Sequence, residues 1–268
     1  MRIKEGSVCL VTGASSGIGK AIADTLAAEG IRVYGTSRNP VILPNPPVTM
    51  LPLTLSDQGS IEAAVAEIIA REGRIDCLVN NAGAGICGAI EETSLEKISE
   101  QLDCCFLGHV AITQAVLPLM RKQSGGRIVF IGSVAAGLPI PYQAAYSAAK
   151  AALRAFASAL AGEVRQFGIE VSVVEPGDTK TGFTQNRITE RSADSPYTVR
   201  LRASIARMEH DEQAGHPPQK VAKVVYRVLR ARHPKPRVTV GLSYKCFDLL
   251  RRCLPERWTN AIIHRMYG

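Results

Sequence analysis

Residues 12–19 read TGASSGIG and join a short apolar run to a segment of helical periodicity. Glycines at this kind of junction let the chain turn sharply, let a pyrophosphate approach the backbone, and let the next helix pack closely on a sheet. The amides that open the helix would face the phosphates. The candidate dinucleotide-binding residues are therefore Gly13, Ser15, Ser16, Gly17, Ile18 and Gly19. The spacing is GxxxGxG rather than the common GxGxxG, and glycines that serve only a tight turn are the alternative.

Strand and helix patterns alternate around this loop through the first 178 residues. β-Branched runs predict strands, and stretches with helical periodicity predict the helices between them. The predicted strands are 7–13, 32–38, 48–55, 75–83, 126–133, 169–177 and 237–241, and the predicted helices are 17–29, 56–72 with Ser56 as N-cap, 94–122, 146–167 and 218–232. This order predicts an α/β fold, a single-domain Rossmann-type doubly wound parallel sheet with helices on both faces.

Three segments depart from the alternation. Residues 39–48 contain four prolines and predict a loop where a crossover helix could lie. Residues 178–216 have no sustained periodicity, which predicts a substrate-loop insertion near a site. Residues 243–268 predict a C-terminal extension of two basic amphipathic helices split by Pro255. We therefore expect a Rossmann-fold domain over 1–242 followed by this helical extension.

The net charge of +8 is concentrated in the last third of the chain. Residues 1–178 carry 14 Lys and Arg against 17 Asp and Glu, whereas residues 179–268 carry 18 against 7. Such a basic segment can attract nucleic acid or an anionic membrane. The charge is dispersed and no nucleic-acid motif accompanies it, so a nucleic-acid partner is not expected.

Cysteine and histidine usage predicts neither a disulfide framework nor a metal site. Seven cysteines lie in mostly apolar surroundings without CxxC spacing, and five histidines are scattered along the chain. The N-terminus becomes apolar only briefly, so no signal peptide is expected, and no apolar stretch approaches the 18 residues that span a bilayer. A reducing cytoplasm is the simplest inference.

The end of the second predicted strand points to the cofactor. NAD-binding folds place an acid there for the ribose 2′-hydroxyl, but this strand ends Thr36-Ser37-Arg38. A guanidinium and hydroxyls would bind a 2′-phosphate that an acid repels, so NADP is favoured over NAD. A solvated arginine on a loop is the alternative.

The stretch YSAAK places Tyr146 and Lys150 four residues apart, on one face of a predicted helix. A phenol titrates near pH 10 in water, and an adjacent ammonium lowers its pKa toward a useful range for acid–base chemistry. Ser133 ends the fifth strand, at the carboxyl edge of the sheet where ligands of open α/β folds bind. A YxxxK pair alone is weak, because most such pairs are ordinary surface residues.

In combination, these motifs resemble the classical short-chain dehydrogenase/reductase family over about residues 5–242. The motifs are TGASSGIG, NNAG at 80–83, Ser133, YSAAK at 146–150 and PGDTKT at 176–181. The resemblance implies that Tyr146 is the general acid/base, that Lys150 lowers its pKa and holds the nicotinamide ribose, and that Ser133 polarises the substrate carbonyl. It also implies cofactor contacts from Asn81, Ala82, Gly83, Pro176, Gly177, Thr179 and Thr181. The family's habit implies a homodimer or homotetramer.

Two positions depart from the family pattern. The family commonly has an aspartate after the third strand that meets the adenine; here Thr54 stands in its place, so we expect a backbone contact near Leu55. The segment DCCFLG at 103–108 puts Cys105 where a catalytic-motif asparagine belongs, which in the family supports a water near the lysine through its main-chain carbonyl at a helix irregularity. Either the thiol sustains turnover, or the chain is a non-catalytic dinucleotide-binding sensor or scaffold. Cys104 is interpreted as a packed thiol.

The expected substrate is a small-molecule carbonyl or alcohol. The apolar segment LPIPYQ at 138–143 and the insertion would flank it. The resemblance leans toward the 17β-hydroxysteroid and retinol dehydrogenase branch, which implies a lipophilic steroid, retinoid or long-chain keto compound. Residues 243–268 would either pack over the pocket or a subunit interface, or hold the protein peripherally on a membrane.

Overall fold

A seven-stranded parallel sheet forms the centre of the computed structural model, which describes residues 2–44, 46–183, 188–189 and 194–268. The strands of this sheet, in chain order, are β1 Val8–Val11, β2 Arg32–Ser37, β3 Val48–Pro52, β4 Cys77–Asn80, β6 Gly126–Ile131, β7 Ile169–Pro176 and β9 Arg237–Val240. Two short strands, β5 Ile86–Cys87 and β8 Ile188–Thr189, pair separately. The spatial order β3-β2-β1-β4-β6-β7-β9 is that of a doubly wound Rossmann-type sheet, as the alternation predicted.

Helices cover both faces of the sheet. The described helices are α1 Gly17–Ala28, α2 Gln58–Glu72, α3 Leu95–Leu102, α4 Gly108–Lys122, α5 Ala144–Val164, α6 Thr198–Gln213, α7 Pro218–Arg230, α8 Leu242–Cys253 and α9 Glu256–Tyr267. One core cluster joins α2, α4 and α5 to the sheet, and the other joins α1 and α7 to the opposite face. Successive strand residues alternate between the clusters: Leu10 packs in the first and Val11 in the second. Burial on both faces explains why the strands are continuous apolar runs.

The strand order reverses direction between β1 and β4, which pair in register from Cys9 with Cys77 to Val11 with Val79. In open parallel sheets, the loops that leave the carboxyl ends of two such strands diverge and form a crevice. The glycine loop follows β1 and the NNAG loop follows β4. The fold therefore brings the sequence motifs to one edge of the sheet.

Two local predictions were wrong. Helix α6 occupies Thr198–Gln213, inside the insertion for which no periodicity was expected; only Leu201, Ser204 and Met208 of its residues are buried, so its apolar signal is too sparse to read. Helix α2 is capped by Asp57, whose carboxylate accepts a hydrogen bond from the Ser60 amide, rather than by Ser56. The proline-rich loop is confirmed in the described residues of 39–47.

Cys9 and Cys77 form a disulfide between the neighbouring strands β1 and β4, with their Cα atoms 4.6 Å apart. Sequence spacing did not predict this pair, because its members are 68 residues apart and meet only when the two strands align. The pair is completely buried.

Residues Leu95–Lys122 form one helical run, broken by a π-helical turn at Asp103–Leu107. Among the described residues, this run alone is long and apolar enough to cross a membrane by length and composition, contrary to the expectation that no stretch approaches that length. Such a signal is weak evidence, since core helices give it too. Here Ile112, Val116 and Met120 pack completely buried in the core.

The C-terminal residues form the two predicted helices, and both pack on the body of the protein. Thr259 and Ile263 of α9 are buried, and the Tyr267 hydroxyl donates to Asp211 of α6 at 3.0 Å. Asp248 of α8 pairs with Arg237 of β9 at 3.0 Å. The face of α8 opposite the body of the protein is exposed and mostly apolar.

Candidate active site

The glycine loop is shaped by positions that exclude a side chain. Gly13 and Gly17 have φ angles of +66° and +54°, which L side chains rarely adopt. A Cβ on Gly19 would overlap the Gly13 carbonyl oxygen. Ser15 and Ser16 are exposed at the start of α1, and Ile18 and Gly17 are half-buried. The loop therefore presents backbone and two hydroxyls at a helix N-terminus, a suitable cradle for a diphosphate.

Thr12 and Asn81 tie this loop to the one that follows β4. The Thr12 hydroxyl oxygen accepts from the amides of Asn81 and Ala82 at 2.9 and 3.1 Å. The Asn81 side-chain amide donates back to the carbonyl oxygens of Thr12 and Gly13 at 2.9 and 3.2 Å. Asn81, which the sequence assigned to the cofactor alone, thus also braces the two loops.

The end of β2 offers a hydroxyl and a cation. Arg38 is exposed, and the buried Ser37 hydroxyl has no hydrogen-bond partner within the described part of the chain. Leu55 is half-buried against Gly108, while the Thr54 amide is occupied by the Ser60 hydroxyl at 2.9 Å. An orphaned hydroxyl beside a free-standing guanidinium suits a phosphate monoester, so these residues fit the 2′-phosphate of NADP.

The segment PGDTKT completes the crevice. Pro176 ends β7, and the Thr179 hydroxyl donates to the Gly177 carbonyl at 2.9 Å. The Thr181 methine carbon would lie 3.4 Å from a Cβ on Gly17, so this segment reaches across to the glycine loop.

Ser133, Tyr146 and Lys150 meet at the carboxyl edge of β6. Lys150 is 4% exposed, donates to the Ile131 carbonyl oxygen at 2.9 Å, and lies 5.8 Å from the Tyr146 ring centroid. Ser133 follows β6, and its hydroxyl oxygen accepts a hydrogen bond from the Ala135 amide at 3.1 Å. Helix α5 is rich in alanine, a strong helix former, and sets the four-residue spacing of the tyrosine and lysine.

The pKa of Tyr146 is higher than that of a free phenol. Burial raises the pKa most, and the charges of Cys105 and Glu212 add to the rise, while Lys150 and the Ser133 hydrogen bond lower it. Lys150 lowers the pKa of Tyr146, as expected. The net decrease in this pKa that the sequence predicted is absent, because burial outweighs the effect of the lysine.

Cys105 lies inside the π-helical turn, completely buried. Its thiol donates to the Ala84 carbonyl oxygen at 3.3 Å and accepts from the Gln101 amide at 3.0 Å. A hydrogen bond from Cys104, with help from the Lys150 ammonium, lowers the pKa of the Cys105 thiol against the effect of burial. The helix irregularity that the family resemblance implied is therefore located at this cysteine.

Sequence reasoning missed four side chains around the site. Gln101 and His109 flank Cys105 on the same helical run, and the His109 Nε2 atom lies 2.7 Å from the Ala82 carbonyl oxygen. Phe183 packs with its ring centroid 5.8 Å from that of Tyr146. Tyr244 of α8 packs against Gly177. Of these four, only Gln101 and His109 gave a sequence signal, because they are polar residues on an otherwise apolar helix.

The described residues contain no cluster of three or more histidine, cysteine or acidic side chains that could hold a metal ion.

Comparison with known proteins identifies relatives of this chain. The family model for short chain dehydrogenases matches residues 7–192. A 3-ketodihydrosphingosine reductase of Bacteroides thetaiotaomicron is 41% identical over 264 residues, covering 97% of this chain and 98% of the relative. Dehydrogenase/reductase SDR family member 7B of Xenopus tropicalis is 33% identical, covering 94% and 82%. A crystal structure of a short-chain dehydrogenase from Streptomyces avermitilis superposes with a TM-score of 0.82 at 32% identity, covering 93% and 94%.

Proposed function

The chain belongs to the short-chain dehydrogenase family, and we propose that it is an NADP(H)-dependent oxidoreductase that interconverts a carbonyl and an alcohol on a lipophilic substrate. The observation that carries the proposal is the meeting of Ser133, Tyr146 and Lys150 beside the crevice at the carboxyl edge of the sheet. A hydroxyl, a phenol and an ammonium group gathered at this edge suit proton transfer to a carbonyl oxygen.

Each catalytic group has a distinct role in this proposal. Bound NADP(H) would supply or accept the hydride at nicotinamide C4. In the reducing direction, Tyr146 donates its phenolic proton to the substrate oxygen, and the Lys150 ammonium stabilises the phenolate that remains. Ser133 hydrogen-bonds the same oxygen and polarises the carbonyl. Because burial raises the pKa of Tyr146, the phenol holds its proton until the substrate oxygen develops negative charge.

NADP is proposed over NAD on the chemistry of the β2 terminus. Ser37 and Arg38 would bind the 2′-phosphate, and the loop of Gly13–Gly19 would hold the diphosphate. Asn81, Ala82, Gly83 and Leu55 would line the adenosine side, and Pro176, Gly177, Thr179 and Thr181 the nicotinamide side.

Two side chains support the proposed substrate class. Phe183 supplies an aromatic wall, and the half-buried Glu212 of α6 adds, after the larger effect of burial, to the rise in the pKa of the Tyr146 phenol. An apolar wall with one carboxylate suits a lipophilic ketone bearing an amino group. The reductase of Bacteroides thetaiotaomicron is named for such a compound, a long-chain 2-amino-3-ketone. We place this class ahead of steroids and retinoids.

Peripheral membrane contact is part of the proposal. The outward face of α8 exposes Leu242, Cys246, Leu249, Leu250 and Cys253, with Leu242 77% and Leu249 63% exposed. Lys245 flanks this face, and Arg257, Trp258 and Arg265 are exposed on α9. Apolar area beside cations and a tryptophan favours an anionic bilayer. Cytoplasmic location and a homodimer or homotetramer stay predictions.

A dinucleotide-binding sensor or scaffold is the second candidate, favoured by Cys105 in place of the family's asparagine. A screen of NADPH consumption separates the two. The panel contains 3-ketodihydrosphingosine, steroids, retinoids and keto-acyl compounds, with Tyr146→Phe as the control. Oxidation of NADPH that the Phe variant loses supports the enzyme. Tight NADPH binding without oxidation across the panel supports the sensor.

A further inference from the structure

The buried carboxamide of Gln101 stands one helical turn before Cys105 and bonds to it. We infer that Gln101 is a positioning residue of the active centre, supplying through its side chain the amide that the helix lacks at position 105. The inference rests on the proposed function for its kinetic consequences, although its geometry is independent of the substrate.

Every hydrogen of the Gln101 amide is engaged. Nε2 donates to the Ala84 carbonyl oxygen at 2.8 Å and to the Cys105 sulfur at 3.0 Å, and Oε1 accepts from the Ile86 amide at 2.8 Å. The side chain is 2% exposed. A buried carboxamide costs free energy unless its polar atoms are paired, so these bonds fix its orientation. Gln101 thereby clamps the segment after β4 to the helix that carries the π turn.

The clamped atoms lie next to the catalytic lysine. A Cβ placed on Gly83 would be 3.4 Å from the Cys105 sulfur and 3.9 Å from the Lys150 ammonium nitrogen, so all three groups border one small space. Ala84, which receives both the Gln101 amide and the Cys105 thiol, is the next residue along the chain. The position of Cys105 relative to Lys150 therefore depends on the Gln101 clamp.

A thiol at position 105 cannot replace all the hydrogen bonds that an amide side chain could make there. Cysteine offers one weak donor and a weak acceptor, whereas an asparagine side chain offers two donors and a strong acceptor. In this chain the Cys105 thiol makes one bond to Ala84, and Gln101 makes a second bond to the same carbonyl oxygen. The two side chains together give the Ala84 carbonyl oxygen two donors, and Gln101 supplies the amide donor that a cysteine at position 105 lacks.

A double-mutant cycle tests whether Gln101 supplies the amide that Cys105 lacks. Gln101→Leu removes the amide, and Cys105→Asn restores one directly. We expect Gln101→Leu to lower kcat about tenfold with KM for the carbonyl compound nearly unchanged, and to weaken NADPH binding about fivefold, since Lys150 would hold the nicotinamide ribose in the proposed function. In the Cys105→Asn background, the same substitution should change both values less than about twofold. Equal losses in the two backgrounds, or no loss in either, would overturn the inference.

Gln101→Glu covers the case in which the leucine variant does not fold. It keeps the size of the side chain and the acceptor for the Ile86 amide but loses both donors, and it should reproduce the kinetic loss. Gln114→Leu, on the exposed side of α4, is the matched control and should leave all values unchanged. If the unmodified protein turns over no carbonyl compound, the proposed function fails. The inference about Gln101 is then tested by NADPH affinity alone, which is measured for each variant of the cycle by the fluorescence of the dinucleotide.

Discussion

The hydroxyl of Tyr244 donates a hydrogen bond to the carboxylate of Asp178, and its ring lies so close to Gly177 that a Cβ on that glycine would overlap it. Burial, followed by the bond to Asp178, raises the pKa of Tyr244. The C-terminal extension therefore forms a wall of the segment proposed to hold the nicotinamide. For residues 243–268, the structure shows packing of Tyr244 against Gly177, and membrane contact stays a proposal.

Tyr244→Ala should weaken NADPH binding about tenfold, because it removes both the ring against Gly177 and the bond that orients Asp178. Tyr244→Phe should lose less, since the ring remains. Titration of NADPH fluorescence measures both. Tyr226→Phe removes a comparable tyrosine bond, to Glu29 on the surface far from the crevice, and should bind NADPH normally. Unchanged affinity in Tyr244→Ala would show that the wall is only structural.

Arg38→Asp should reverse the cofactor preference. The unmodified chain is expected to use NADPH at least about tenfold better than NADH, since a guanidinium binds the 2′-phosphate and a carboxylate repels it. The ratio of kcat/KM for the two dinucleotides is the measurement. Arg71→Ala, which removes an exposed cation from α2, should leave the ratio unchanged. Equal use of both dinucleotides by the unmodified chain contradicts the NADP assignment.

Glu212→Gln should raise KM about tenfold for a 2-amino-3-ketone, because a buried or half-buried carboxylate stabilises a nearby ammonium. A long-chain ketone without the amino group should show no such change, and this difference separates recognition of the amine from general damage. Steady-state kinetics on the matched pair of ketones provides the test. Similar effects on both ketones would remove Glu212 from substrate recognition.

Leu242→Gln combined with Leu249→Gln should reduce co-sedimentation with liposomes that contain anionic lipid. Both side chains are largely exposed on α8 and make no part of the site, so activity on a water-soluble carbonyl should persist. Raising the salt concentration should also release the protein, since part of the attraction is electrostatic. Val199→Gln, a similarly exposed apolar side chain on α6, is the control. Unchanged sedimentation would exclude the outer face of α8 as the membrane contact.

His109 should make the protein less stable in acid. Burial, together with the nearby Lys150 charge, lowers the pKa of His109 to about 3 from an ordinary value near 6.5. The unfolded chain therefore binds this proton first, and the stability is complete above about pH 6.5 and declines as the pH falls toward 3. Between pH 7.5 and 4.5 the loss is about 2.5 kcal/mol from this group.

Urea unfolding at the two pH values measures the effect. His109→Gln, which can keep a donor to the Ala82 carbonyl oxygen, should show a pH dependence smaller by that amount. His233→Gln, an exposed position, should behave like the unmodified chain. An identical pH dependence in all three proteins would exclude His109 as its source.

The sheet and its motifs were predictable because their signals are local. The central strands β1, β4, β6 and β7 are apolar runs that are almost completely buried, and the glycines of residues 13–19 predict a turn at positive φ, which other residues rarely adopt. The order of the strands then follows from right-handed crossovers. Ser133 could therefore be assigned to the carboxyl edge from the strand that it ends, whereas the family resemblance joined Tyr146 and Lys150 to it.

The remaining features depend on contacts that no local pattern encodes. Helix α6 is mostly polar, so its three buried residues gave no visible period. The Cys9–Cys77 disulfide arises from the pairing register of two distant strands. Gln101 contacts Ala84, and Tyr244 contacts Gly177. No sequence pattern predicts either contact, because its two residues are separated in the chain. Tertiary contact, rather than propensity, decides these positions.

Helix α8 carries Tyr244 on its inner face and Leu242, Leu249 and Leu250 on its outer face. An α-helix is only about 10 Å across with its side chains, so the outer surface of the protein and a wall of its coenzyme crevice are two sides of a single twelve-residue element. A shortened protein that ends at Gly241 would lose that wall as well as the apolar surface. Trimming the tail therefore cannot isolate membrane attachment from coenzyme binding, whereas single substitutions on one side of the helix can.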